Sequence, residues 1–199
     1  PLRFGRPMRF IAGFVDSIHT IIDGDISVFK NNYGTRNVYK FGYPYAGLYG
    51  DITINSEKSN PPKIIVGNSG DRGNEHLSVL HLLSQKADIK NYKIVLPVAY
   101  SLSEEYELEL NKGIKKLGLE DNTELQKDFL PAEEYLQMLA SSFMFIGAHN
   151  RQQAMGNILG AIYGGCQVVI RKQILVNTGL ITNPSWEFLS KYKFDINDY

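Results

Sequence analysis

Apolar positions follow two different regimes along the chain. From residue 63 onward, short unbroken apolar runs alternate with segments whose apolar residues return every three to four positions. The runs "KIIVG" (63–67), "YKIVLPV" (92–98), "ELQKDF" (124–129), "FMFIGA" (143–148) and "CQVVIR" (166–171) predict strands, with a weaker one at "ILVN" (174–177). The intervening segments predict helices over about 75–86, 103–117, 131–142 and 152–163, and one around "PSWEFLSKY" (184–192). Three of the runs, "IIVG", "IVLPV" and "FMFIG", lack alternation, as strands covered on both faces do. Strand and helix in strict alternation imply right-handed crossovers and a parallel sheet, an α/β Rossmann-like layer sandwich.

Before residue 63 the pattern is less regular. Phe10, Ile11, Phe14, Val15, Ile18, Ile21 and Ile22 share one helical stripe, so residues 8–22 predict a buried amphipathic helix. "DGD" (23–25) ends it, "ISVF" (26–29) reads as a strand and "NNYGT" (31–35) as a turn. The tyrosine- and glycine-rich stretch "VYKFGYPYAGLYG" (38–50) has no clear period; it suits a hinge packed between domains or a face toward lipid or saccharide. "NSEKSNPP" (55–62) carries the linker composition, which divides the chain into residues 1–54, a linker 55–62 and a second domain 63–199.

Composition narrows the class without naming it. An apolar fraction of 43% and a charged fraction of 21% belong to a globular protein of 199 residues, and equal numbers of acidic and basic residues remove the broad electrostatic argument for nucleic acid. The single cysteine, Cys166, has no partner for an internal disulfide and points to a reducing compartment and a buried apolar role. No apolar stretch reaches the roughly 18 residues that cross a bilayer, and no signal-peptide pattern opens the chain. It starts at Pro1 rather than at methionine, which reads as a fragment or a processed piece.

Candidate chemistry lies in the polar loops that follow the strands, where open parallel sheets bind ligands. In "GNSGDRGNEH" (67–76) the glycines Gly67, Gly70 and Gly73 permit close backbone approach, free amides favour an anion, and Arg72 offers a clamp on phosphate. The same Asn68, Ser69, Asp71 and Asn74 also suit plain turning and capping. The loop is neither G-x-G-x-x-G nor a P-loop. Tyr100 in "PVAYS" suits stacking on a base or sugar, or simply the core; Phe129 and Leu130 in "DFLPAEEYL" suit backbone contacts to a base edge. "GAHNRQQAMGN" (147–157) brings His149, Asn150, Arg151, Gln152 and Gln153 to a helix N-terminus, where a diphosphate meets both dipole and guanidinium, with Asn157 farther along that face.

"VGNSGDRGNEH", "LPVAY", "FLPAEEYLQML", "HNRQQAMGN" and "GGCQVVI", in this order and spacing, resemble the family 56 glycosyltransferases. These are the dTDP-4-acetamido-4,6-dideoxygalactose transferases, or lipid II N-acetylfucosaminyltransferases, of enterobacterial common antigen assembly. The resemblance covers roughly residues 20 to 195, and "RQQAMGN" is its most distinctive motif. It implies the C-terminal donor-binding half of a GT-B hexosyltransferase, with residues 1–54 a remnant of the acceptor-side domain. It also implies an undecaprenyl-diphosphate-linked acceptor and a location in the cytoplasm, peripheral to the inner membrane.

The donor set implied is Asn68, Ser69, Gly70, Arg72, Asn74, His76, Tyr100, Phe129, Leu130, Arg151, Gln152, Gln153 and Asn157. Many GT-B relatives carry an E-x7-E pair where this chain has Gln152 and Gly160. The second glutamate commonly chelates ribose hydroxyls, so its loss suits a deoxythymidine nucleotide. Arg151, the amides of residues 152–153 and the 68–72 loop are expected to stabilise the departing diphosphate, and Asp71 or His149 to act as base, with His76 positioning. No cofactor and no divalent metal is expected, since no D-x-D motif ends a strand; "DGD" and "DIND" (195–198) read as turns. Open alternatives are another GT-B-like activity, such as a polysaccharide pyruvyl transferase or nucleotide-sugar epimerase, and a non-catalytic nucleotide- or glycan-binding module.

Overall fold

The computed structural model describes residues 14–20, 26, 29–30, 37–42, 52–176 and 179–199. In the N-terminal part, strand β1 (Ser17–Thr20) pairs in parallel with β2 (Asn37–Lys40), and the His19 ring packs on Tyr39 and Phe41 at 5.5 and 6.4 Å. This corrects the helix expected over residues 8–22 at its described end. β-Branched Ile18 and Thr20 lose rotamer freedom in a helix, and pairing with β2 outweighs a stripe that the spacing alone suggested. The strand expected at "ISVF" is corrected too, since residues 26, 29 and 30 are helical; four apolar residues do not distinguish the two states. "DGD", "NNYGT" and residues 43–50 lie outside the described residues.

From residue 63 the expected alternation is present. Its elements are β3 (Lys63–Val66), α1 (His76–Ser84), β4 (Lys93–Pro97), α2 (Glu104–Lys116), β5 (Thr123–Gln126), α3 (Ala132–Ala140), β6 (Met144–Gly147), α4 (Met155–Tyr163) and β7 (Gln167–Ile170). A hairpin of β8 (Gln173–Val176) and β9 (Gly179–Thr182), helix α5 (Pro184–Lys191) and β10 (Asn197–Asp198) complete it. The six-stranded sheet is parallel throughout, in the order β10-β7-β6-β3-β4-β5. The chain therefore winds outward from β3 through β5 and restarts on the other side of β3 at β6. The reversal between β3 and β6 opens a crevice at their carboxyl ends.

Successive strand residues explain the unbroken apolar runs. Ile64 and Val66 face Val79, Leu80, Leu110 and Ile114 of α1 and α2, while Ile65 faces Leu139, Phe145, Ile158 and Leu189 on the α3, α4 and α5 side. Burial on both faces removes the polar alternation that a half-exposed strand shows. Cys166 belongs to the second cluster, and burial pushes its thiol up to about 12.

One local reading changes. The second half of "DIND" is an edge strand, not a turn: β10 pairs with β7, the Tyr199 amide donates to the Ile170 carbonyl at 3.1 Å, and Asp198 Oδ1 accepts the Lys172 amide at 2.9 Å. Residues 55–62 are bonded along the end of α3. The Asn55 amide donates to Gln137 Oε1 at 2.9 Å, Gln137 Nε2 returns to the Asn55 carbonyl at 2.6 Å, and Lys58 Nζ donates to the Ala140 and Gly164 carbonyls at 2.8 and 3.2 Å. The lysine satisfies carbonyls at two helix ends that would otherwise lack partners.

Candidate functional site

The crevice is assembled by the loops after β3, β4, β5 and β6. Gly67 turns the first of them at φ +73°, and its amide donates to the Ile146 carbonyl at 2.9 Å, which carries the β3–β6 pairing to the rim. A Cβ here would lie 2.7 Å from both Asn74 Oδ1 and His76 Nε2, so glycine is required on conformational and steric grounds together.

Asn74 is the hub of this loop, and its orientation follows from the backbone. The Asn68 amide can only donate, and it meets Asn74 at 2.9 Å, so that atom is Oδ1; Nδ2 then donates to the Asp71 carbonyl and to Ser69 Oγ, both at 3.0 Å. His149 Nε2 also approaches Asn74 Oδ1, at 2.8 Å, and Asn68 Oδ1 at 3.1 Å. Facing two oxygens, Nε2 must carry the proton and Nδ1 the lone pair. Burial, and secondarily the Arg151 cation, lower the His149 pKa to about 4, so the ring is neutral at pH 7. His149 thereby ties the loop after β6 to the loop after β3. Its Nε2 proton is engaged by both loops, which fits a positioning role, and with only 2% of the residue exposed its Nδ1 lone pair is shut away from solvent, against the base role expected from sequence.

The polar turn is largely self-satisfied. Its amides at Gly67, Asn68, Gly70, Gly73, Asn74 and Glu75 donate to Ile146, Asn74, Tyr100, Asp71, Asp71 and Arg72 respectively, so it is not the open cradle of amides expected for an anion. Gly70 is pressed on the loop after β4: a Cβ would lie 2.5 Å from the Leu102 Cα and 2.6 Å from its nitrogen. Gly70→Ala is therefore expected to cost about 1–3 kcal/mol of stability in urea unfolding, because backbone on both sides must move; an unchanged midpoint would contradict this packing.

Arg72 turns away from the crevice. Its guanidinium pairs with Glu109, lies 3.8 Å from Glu105 and stacks 4.5 Å over the Tyr106 ring, a geometry opposed to the expected phosphate clamp. The Glu109 hydrogen bond also raises its pKa. The alternating glutamates of α2 supply those partners, a tertiary contact that loop spacing does not reveal. Beneath it His76 is fully buried, with Nδ1 3.1 Å from Tyr106 Oη, and burial lowers its pKa to about 4. It supports Gly67 and does not line the opening.

The remaining candidates converge. Arg151 Nε donates to Gln153 Oε1 at 2.8 Å, Gln153 Nε2 donates to Asn68 Oδ1 at 3.1 Å, and Arg151 Nη2 lies 3.6 Å from Asp71 Oδ1. Arg151 keeps 64% of its side chain in solvent, and Gln152 beside it is exposed. Helix α4 begins at Met155, after Gln152 and Gln153, with Ala154 at φ 60° and no side-chain cap, so its first amides are left for a ligand. Next to these groups opens a cavity of about 280 Å³ whose lining includes Asn68, Tyr100, Phe129, Leu130, Tyr135 and Asn157. Tyr100 Oη accepts from Asn68 Nδ2 at 2.9 Å, Asn157 Nδ2 donates to Tyr135 Oη at 3.0 Å, and the Phe129 ring is 81% exposed at the mouth.

Sequence reasoning did not single out Tyr135, Glu75 or Arg171. Tyr135 lies inside the motif "FLPAEEYLQML", where its helical position gives no sign that its hydroxyl meets Asn157. Glu75 sits inside the motif but at φ 56°, ahead of α1, where its carboxylate accepts from Asn150 Nδ2 at 2.5 Å and from Ser78 Oγ at 2.9 Å. Among the described residues, three of the four positive-φ residues other than glycine, Glu75, Ser101 and Ala154, lie on crevice loops, where strain gathers at working sites.

A family model, 4-alpha-L-fucosyltransferase of glycosyl transferase group 56, matches residues 11–189. The chain belongs to this family. Among solved structures it is similar to Anabaena HepE in complex with UDP and glucose (TM-score 0.66, 16% identity, 95% of this chain and 57% of that one). It is also similar to WaaG, a glycosyltransferase involved in lipopolysaccharide biosynthesis (0.62, 16%, 95% and 53%). A third is the pneumococcal O-GlcNAc transferase GtfA in complex with UDP and GlcNAc (0.64, 12%, 95% and 41%). These are GT-B glycosyltransferases, and the group 56 chain shares their Rossmann-like sheet. It spans about half the length of the structures it matches.

Proposed function

We propose that this chain is the donor-binding part of a hexosyltransferase that moves a deoxy-acetamido-hexose from a dTDP-sugar to an undecaprenyl-diphosphate-linked glycan, in bacterial surface polysaccharide assembly of the enterobacterial common antigen type. The observation that carries this reading is the convergence, at the β3/β6 reversal, of Arg151, an uncapped helix N-terminus and an adjoining cavity walled by Tyr100, Phe129 and Leu130. An aromatic-walled space beside an anion-attracting helix end matches a nucleoside diphosphate in shape and charge.

In this reading the base occupies the cavity between Tyr100 and the Phe129–Leu130 backbone. The diphosphate meets the α4 N-terminus and Arg151, which stabilise the charge that grows on the leaving group as the glycosidic bond breaks. No metal is invoked. Asn68, Asn74, His149 and Gln153 hold that geometry. Asp71, at the mouth, takes the Gly73 amide and faces Arg151, and is the one base candidate retained from this side. Residues 1–54 belong to the acceptor side, with 55–62 the connection. Among the described residues no helix is long and apolar enough to cross a membrane, so membrane contact is proposed as peripheral, from the cytoplasmic side.

Calorimetry with dTDP, UDP and thymidine tests the donor reading. Tighter binding of dTDP than of UDP is expected, because Gln152 and Gly160 offer no carboxylate to a 2'-hydroxyl. Arg151→Ala is expected to weaken dTDP about tenfold or more and leave thymidine unchanged. Equal affinity for dTDP and UDP would remove the donor assignment. For transfer itself, the full-length enzyme given a dTDP-sugar and a lipid-linked disaccharide should yield, by mass spectrometry, a product one deoxy-acetamido-hexose heavier.

A further inference from the structure

Arg171 leaves the carboxyl end of β7, one strand beyond β6, and is fixed at every point except its tip. Its backbone carbonyl accepts from buried Asn183 Nδ2 at 2.8 Å, and the preceding Ile170 carbonyl accepts the Tyr199 amide. Its Nε donates to the Ala148 carbonyl at 2.6 Å, directly ahead of His149, and its guanidinium carbon lies 4.7 Å over the Tyr199 ring. Among the described residues, the two Nη groups meet no acceptor and no carboxylate lies within ion-pair distance. A half-buried guanidinium held by its Nε and its face, with both terminal nitrogens unused, is preorganised for an oxyanion; little rotamer entropy remains to be lost on binding.

Its position supplies what the first loop lacks. Arg72, the second cation expected at the crevice, is turned onto Glu109, whereas Arg171 reaches the strand-end residue of the very loop that carries His149 and Arg151. The two cations flank His149: Arg171 Nε is bonded to the Ala148 carbonyl, one residue before it, and Arg151 follows two residues after it.

We propose that Arg171 is a binding residue for a diphosphate oxyanion, acting from the β7 side of the crevice while Arg151 acts from the α4 side. This assignment rests on the diphosphate reading of the crevice given above. In the full-length enzyme the diphosphate has two possible sources, the nucleotide donor and the lipid-linked acceptor, and each can be probed alone.

The experiment measures binding of dTDP, thymidine and geranyl diphosphate to the wild-type, R171K and R171Q chains, with thermal unfolding of each. R171Q is expected to raise the dissociation constant of dTDP, of geranyl diphosphate, or of both, about tenfold or more, while thymidine is unaffected. R171K should recover part of the loss, since it restores charge without the fork. A dTDP-specific loss assigns the donor diphosphate, and a geranyl-specific loss the acceptor. Unchanged affinity for both diphosphates in R171Q, with only a lower unfolding temperature, overturns the proposal and leaves Arg171 as a strut between Ala148 and Tyr199. Equal weakening of thymidine and dTDP overturns it as well. Wild-type chain that prefers UDP to dTDP refutes the donor identity alone, and wild-type chain that binds no diphosphate refutes both readings.

Discussion

Asn74→Ala is expected to lower the unfolding free energy by about 3 kcal/mol or more and to abolish nucleotide binding in the same variant. The side chain is fully buried, and its loss leaves the Asn68 amide without its partner and removes one of two acceptors from His149 Nε2 and a donor from Ser69 Oγ. A buried polar group left without a partner costs about 1–3 kcal/mol, which the Asn68 amide incurs in full, while His149 Nε2 falls back on Asn68 Oδ1 and Ser69 Oγ on the Asp71 amide. The effect on binding follows because the loops after β3 and β6 lose the oxygen that the Asn68 amide and His149 Nε2 share, which loosens their register. Asn68→Ala, closer to the rim, should cost markedly less. Urea unfolding followed by dTDP titration checks both; a loss below about 1 kcal/mol for Asn74→Ala would show that the loop is held by something else.

Acid should destabilise the protein well before its carboxylates are protonated. His76 and His149 are buried and neutral, with pKa values lowered to about 4 against 6.5 for an exposed imidazole. Above pH 6.5 neither state binds these protons, so the stability is whole. Between pH 6.5 and 4 the unfolded chain takes up protons that the native chain refuses, and stability falls by about 1.4 kcal/mol per pH unit for each ring, on the order of 3 kcal/mol each across the window. His149→Gln should keep part of the clasp and remove about half of that slope. A flat unfolding temperature from pH 7 to 4.5 would mean that the rings are hydrated, or already paired with an acid.

The two parts of the chain were not equally legible. Ile64, Ile65 and Val66 are apolar in sequence because opposite helical layers cover both sheet faces, so the local pattern carried the global architecture directly. The region of Ser17–Thr20 misled the same method, since a partner strand some twenty residues away decides the state of a short β-branched segment. "DIND" failed for a similar reason: its strand character comes from the free edge of β7 and not from its own residues.

At the crevice, residue types pointed to loops that the structure brings together, but not to what each side chain there contacts. Asn68, Arg151, Gln153 and Asn157 stand where strand ends and helix starts placed them. Arg72, expected at the crevice, is turned onto Glu109 and Tyr106, while Arg171, which no motif singled out, is held on Ala148 and Tyr199, because a cation's direction depends on what it finds nearby.

By itself the amino-acid order determined the layered α/β architecture, the loops that border the crevice and the family, since hydrophobic period and strand-end motifs are local properties of the chain. Only the tertiary structure decided which amides are already bonded, which imidazole nitrogen carries the proton and which guanidinium is free. Hydrogen bonds and charges are satisfied by whatever approaches within a few ångströms, and that proximity arises from the winding of the sheet.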